Sequence, residues 1–133
     1  MKTHEEVKNW LKKAMNDYKT ARNLLSFPQE EIITDTMCFH CQQFVEKSSK
    51  AFFIFKNVEF KRTHNLEYLI KLCSDLDPDF EFLSEKTTTL TDYAVKIRHP
   101  DEFYIPSVEE AKECFEIALK VKGFIYNKLN LSY

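Results

Sequence analysis

The chain has 133 residues, 44% of them hydrophobic and 30% charged, with a formal net charge of −2. That length fits one domain, 1–133, with a core of its own, and the apolar fraction is too high for a disordered chain. The near-neutral balance argues against a globally basic nucleic-acid binder. A single glycine, Gly123, is scarce for a protein built on hairpins and favours helices. No run of eighteen apolar residues occurs, and Met1-Lys2-Thr3-His4-Glu5-Glu6 lacks the apolar core of a signal peptide. The expected location is cytoplasmic, with no membrane contact. There Cys38, Cys41, Cys73 and Cys114 are expected to be reduced and buried as small hydrophobes.

In chain order, Val7, Trp10, Leu11, Ala14, Tyr18, Ala21, Leu24 and Leu25 recur at three- and four-residue steps and predict a first helix. Thr3 and Glu6 suit a capping box at its start, and Phe27-Pro28 ends it. A second helix is expected to begin between Gln29 and Asp35 and to reach about Lys56. Cys41, Phe44, Ser48, Ala51 and Phe55 share one face, widened by Val45 and Phe52, so this helix belongs at the centre of the fold. Thr63 suits the N-cap of a short third helix whose apolar side is Leu66, Leu69, Ile70 and Cys73. Asp77-Pro78 opens a fourth, carrying Leu83, Leu90, Tyr93, Ala94 and Ile97.

Thr87-Thr88-Thr89 has weak helix propensity and predicts a kink or fray in that fourth helix, and Pro100 stops it. Ser107 and Glu110 form a second capping box, opening a fifth helix with Val108, Ala111, Phe115, Ala118, Ile125 and Leu129 inward. Gly123 inside it costs roughly 1 kcal/mol against alanine, which suggests a close packing contact. The expectation is an all-α, five-helix up-and-down bundle with one irregular crossing.

Two constellations carry chemistry. On the second helix His40, Gln43, Lys47 and Lys50 share a stripe, with Glu46 spaced to pair with Lys50. The plain reading is a solvated outer face. The alternative is that Gln42, Gln43, Glu46 and Lys47 need partners, for instance across a subunit interface. The second constellation is Arg98, His99 and Asp101 at the end of the fourth helix. Arg98 could simply complement the helix dipole. Functionally, an arginine clamps phosphate and a histidine moves protons near neutral pH. A metal site from Cys38, His40 and Cys41 is rejected: His40 leaves the helix in another direction, and no further pair completes the set. His4 and His64 carry no signal beyond surface or helix-start roles.

The chain resembles the HEPN family, the higher eukaryote and prokaryote nucleotide-binding domains. The resemblance rests on Ala14-x-x-Asp17-x-x-x-Ala21, on Phe39-His40-Cys41-Gln42-Gln43-Phe44-Val45-Glu46-Lys47-Ser48-Ser49-Lys50-Ala51, on Arg62-Thr63-His64-Asn65-Leu66, and on Leu90 through Asp101 followed by Glu110-Ala111. It implies a five-helix bundle, usually a homodimer, often encoded beside a small nucleotidyltransferase. Members include ribonuclease toxins and antitoxin-associated modules. The ribonuclease branch uses an arginine followed four to six residues later by a histidine. Here Arg98 is followed at those distances by Glu102, Phe103 and Tyr104.

The resemblance therefore favours a nucleotide- or RNA-phosphate-binding module using Arg98, Asp101, His40, Lys47 and Lys50, with no cofactor or metal. One alternative is a metal-independent ribonuclease using Arg98 and His99. The other is an interaction subunit for a nucleotidyltransferase, with the second-helix stripe or Phe103-Tyr104-Ile105 as its contact surface.

Overall fold

The computed structural model describes residues 3–98 and 104–130, with side chains for 4–93 and 104–130. Five α-helices follow in order: α1 Thr3–Leu25, α2 Thr34–Phe55, α3 Leu66–Leu76, α4 Glu81–Arg98 and α5 Val108–Lys128. Single 3-10 turns precede α2 at Gln29–Glu31 and α4 at Pro78–Phe80. There is no strand among the described residues.

The direction of each helix follows from its side-chain meetings. Asp17 meets Lys47 while Trp10 meets Lys50, so α1 and α2 run antiparallel. Cys38 reaches Cys114 and Phe52 reaches Phe124, so α2 and α5 run parallel. Tyr93 faces Glu110 while Phe82 faces Phe124, so α4 and α5 are antiparallel. Four long helices thus alternate in direction, and the short α3 follows α2 in the chain and packs against both α2 and α4.

The most apolar of the long helices takes the centre. α2 packs against each of the other four helices. Its Met37, Cys41, Phe44, Val45, Ala51, Phe52 and Phe53 are fully buried. Each of those phenylalanines contributes roughly 1.5–3 kcal/mol by leaving water. Ala14 and Ala21, both buried, leave room on α1 for α2 to approach. Phe55 departs from the expected core face. As the last residue of α2 it lies at the edge of the bundle and is 45% exposed.

Helix ends show where local rules held and where neighbours outvoted them. The Ser107–Glu110 capping box is formed in both directions. Asp77 accepts from the Asp79 N–H and opens the 3-10 turn that leads into α4. α1 already includes Thr3, so that residue is helical and not a cap. The N-cap of α3 is Asn65, not Thr63: Asn65 Oδ1 accepts from the Tyr68 N–H, and Thr63 Oγ1 accepts from the Asn65 N–H. α4 runs unbroken through Thr87-Thr88-Thr89. Thr87 and Thr88 donate their hydroxyls to carbonyls one turn back. With so little glycine, asparagine closes α2 and α5. Asn57 and Asn130 both take φ of 59°, and the Val58 N–H returns to Phe53 O to finish α2.

Candidate functional site

The polar stripe of α2 is not a solvated face, because it lies along the seam with α1. His40 and Lys47 are seven residues apart, so two turns place them on one line. Asp17 of α1 stands opposite. Its Oδ1 accepts from His40 Nδ1 at 2.7 Å and its Oδ2 from Lys47 Nζ at 2.7 Å. The Asp17 side chain is only 10% exposed, and both oxygens are engaged. With Nδ1–H held by the carboxylate, His40 keeps Nε2 as the nitrogen able to take a proton.

A second carboxylate repeats the pattern farther along α2. Glu46, 2% exposed, takes Lys50 Nζ at 3.3 Å and His64 Nδ1 at 2.9 Å on Oε2. The Glu46–Lys50 pair is the one the spacing predicts. His64, expected only in a surface or helix-start role, is the departure: the loop entering α3 delivers it to a buried carboxylate. Glu46 Oε1 has no hydrogen-bond partner among the described residues. Glu46, through Oε2, and Lys47 therefore both find partners inside this chain.

Around this second cluster lies an open cleft of about 540 Å³. Trp10, Ile54 and Phe60 form its apolar walls, and Lys50, Arg62, Thr63, His64 and Glu6 supply polar groups. Lys50 Nζ sits 5.2 Å from the Trp10 ring centroid, so a nearly buried ammonium is held by a carboxylate and an aromatic face together. Arg62 is exposed and makes no ion pair among the described residues, which leaves its planar donor fork available to an anion.

The remaining expected site residues lie elsewhere. Arg98 is described as the last residue of α4, by backbone alone, while His99 and Asp101 lie outside the described residues. That end of α4 belongs with the start of α2 and α5, so Lys50 sits at the other end of the bundle, ~24 Å along α2 from Thr34. His40, on the second turn of α2, lies toward the Arg98 end. The structure thus joins His40 with Lys47 and sets Lys50 apart with Arg62 and His64. Of the aromatic loop, Phe103 is outside the described residues, the Tyr104 hydroxyl donates to Glu110, and Ile105 is exposed.

All four cysteines are free and buried, and no cluster able to hold a metal ion occurs among the described residues. Burial pushes the thiols of Cys41 and Cys73 up, that of Cys73 to about 12, with a Ser49 hydrogen bond opposing the rise at Cys73. In Cys114 a hydrogen bond with Cys38 leads and burial adds to it. Protonated thiols suit packing, not nucleophilic chemistry.

Asp17 and Arg62 enter the sequence reading only as motif positions and Trp10 only as a core position, none of them as a site residue. A signal for Asp17 exists: it falls on the inward side of an amphipathic helix, beside Tyr18 and between Ala14 and Ala21. An acid there needs a partner. Nothing local announces the cleft, because its walls come from α1, α2 and the loop after α2.

Four long alternating helices, a short third helix and a central helix carrying buried ion pairs define an all-α bundle of the HEPN type. The HEPN domain model matches residues 7–129, and the chain belongs to the HEPN family. Among solved structures it is similar to the crystal structure of an archaeal HEPN homologue, at 24% identity and a TM-score of 0.69. That likeness covers 92% of this chain and 96% of the other. No curated protein matches the chain.

Proposed function

We propose that this HEPN-domain chain is a homodimeric, cytoplasmic module that binds nucleotide or RNA phosphate. In this reading it is accessory to a separate nucleotidyltransferase in a toxin–antitoxin-like pair. The observation that carries the reading is the cleft in which Arg62, without an ion-pair partner among the described residues, stands with Lys50 and His64 beside Trp10 and Phe60. Cations beside aromatic walls suit a ligand with a phosphate and a flat ring. Arg98, on the last turn of α4 at the opposite end, is a second phosphate-binding candidate, and Asp101 is kept as a candidate from the sequence. His40 and Lys47, held by Asp17, act in support. Members of this family commonly dimerise, which favours the two-fold assembly.

The test is titration of labelled mononucleotides and short RNAs against wild type, Arg62→Ala and Arg98→Ala. Affinity is expected to fall at least tenfold in one variant or both. Negligible, equal binding by all three ends the proposal.

A second reading, a metal-independent ribonuclease, keeps Arg98 and His99 as its catalytic pair and draws on the Asp17–His40 contact. A carboxylate holding Nδ1–H leaves His40 Nε2 to take the proton of a ribose 2′-hydroxyl as its oxygen bonds to phosphorus. The P–O5′ bond breaks, the 5′-oxygen leaves with a proton from His99, and Arg98 would meet the charge on the phosphoryl oxygens. Incubating RNA with the protein in EDTA should then yield cyclic-phosphate ends, reduced in His40→Ala and His99→Ala. Intact RNA at high protein concentration excludes it.

A further inference from the structure

One face of the bundle is far more basic than the net charge of −2 suggests. On α1, Lys8, Lys12, Lys19 and Arg22 follow at steps of four, seven and three, which places all four on one stripe. From Lys8 to Arg22 the stripe rises 14 steps, ~21 Å along the helix. All four side chains are exposed, and none joins an ion pair among the described residues. The carboxylates of α1 do little to offset them. Asp17 is turned to α2, Glu6 lines the Trp10 cleft, and only Glu5 stands near one end.

The seam with α5 extends the positive surface. Lys122 Nζ lies 4.4 Å from the Tyr18 ring centroid and 6.0 Å from that of Tyr126. Burial, then the nearby Arg22 guanidinium, hold the Lys122 amine below its ordinary range, so this seam brings like charges together. Between the cations runs a shallow groove of about 370 Å³, with Leu11, Met15 and Tyr126 on its floor.

We propose that this α1–α5 face binds the sugar–phosphate backbone of RNA, with Lys8, Lys12, Lys19 and Arg22 each meeting a phosphate. It extends the phosphate-binding reading above but shares no residue with the Arg62 cleft or with Arg98. A row of cations ~21 Å long matches a ligand whose charges repeat along a line. A folded acidic protein fits less well, because lysine is depleted at protein interfaces and this stripe offers no exposed aromatic anchor. A membrane surface fits less well too, since no large exposed apolar residue of α1 is present to enter it.

The experiment measures binding of a labelled mixed-sequence single-stranded RNA as a function of salt. It compares wild type, Lys8→Gln/Lys12→Gln/Lys19→Gln, and Lys86→Gln/Lys120→Gln on the α4–α5 face. Every changed residue is exposed, so all three proteins are expected to fold, which circular dichroism verifies. The triple variant should bind at least roughly tenfold more weakly at low salt. Its plot of log affinity against log salt should be shallower by about 2, at ~0.7 for each phosphate no longer neutralised. The Lys86/Lys120 variant should match wild type.

No RNA binding by wild type, or an unchanged slope in the triple variant, overturns the proposal. So does equal competition by polyglutamate of matched length, which would indicate an acidic protein segment. Retention on phosphatidylserine vesicles without RNA binding overturns it in favour of a membrane. Failure of Arg62→Ala or Arg98→Ala to change mononucleotide binding leaves this slope untouched, so the two proposals fail separately.

Discussion

Asp17 Oδ2 and Lys47 Nζ meet at 2.7 Å across the antiparallel seam of α1 and α2, and His40 occupies the other oxygen of the same carboxylate. One acid thus joins two turns of the central helix to the first helix. Because Asp17 is largely covered, its loss strands two donors where water compensates poorly. Asp17→Ala should cost about 2 kcal/mol in urea unfolding, and a double-mutant cycle with Lys47→Ala should show coupling of about 1 kcal/mol. Strict additivity would show that the pair does not stabilise the seam.

Glu46 is more deeply buried than Asp17, so its removal should be felt more strongly. Glu46→Ala leaves the Lys50 ammonium, 7% exposed as a side chain, without its carboxylate. A loss of about 3 kcal/mol is expected, against less than half of that for His64→Ala, whose ring is 75% exposed. Thermal and urea unfolding of the two variants check the order, and an equal cost for both would contradict it.

Two carboxyls make the fold acid-sensitive. At Asp77 burial pushes upward, but hydrogen bonds from Lys128 and the Asp79 N–H, with the Lys128 and Lys56 charges, hold the carboxyl below its ordinary 3.8. At Glu110 the Ser107 N–H and then the Tyr104 hydroxyl hold it below 4.5. A folded-state value below the unfolded one stabilises above the unfolded value, and that stability is lost as pH falls through the folded value. Stability should therefore drop as pH falls below about 4.5. Lys128→Met and Tyr104→Phe should each flatten that limb, and unfolding midpoints measured across the acid range read the slope.

The cysteines should be silent in the native state. All four are buried, and burial keeps the thiols of Cys41 and Cys73 protonated at neutral pH. A thiol reagent such as DTNB in mildly alkaline buffer should react with none of them within minutes, and with all four in denaturant. Rapid reaction of one thiol without denaturant would place that cysteine near the surface.

Where local chemistry decides, the sequence is legible. The Ser107–Glu110 box, Asp77-Pro78, and the buried Leu66, Leu69, Ile70 and Cys73 of α3 all follow from neighbours within one turn. Thr63 misleads because Asn65, two residues on, offers a competing cap, and the chain uses both side chains in series. Phe55 has the right spacing for the core, but spacing cannot say that the bundle ends there. His64 belongs to the same kind of error: its partner Glu46 is 18 residues away, beyond any periodicity.

An all-α chain with α2 at its centre can be read from residue order alone, since helical period, caps and glycine scarcity are local properties of the polymer. The HEPN resemblance is carried by motifs such as Phe39 through Ala51. What the polar stripe of α2 does was decided only by the tertiary structure. Antiparallel packing sets Asp17 against His40 and Lys47, while the loop into α3 brings His64 and Arg62 to Lys50. A charge reads the same in sequence whether it faces water or a carboxylate. Only the path of the chain through space distinguishes the two, because partners distant in sequence supply the compensation that a buried charge requires.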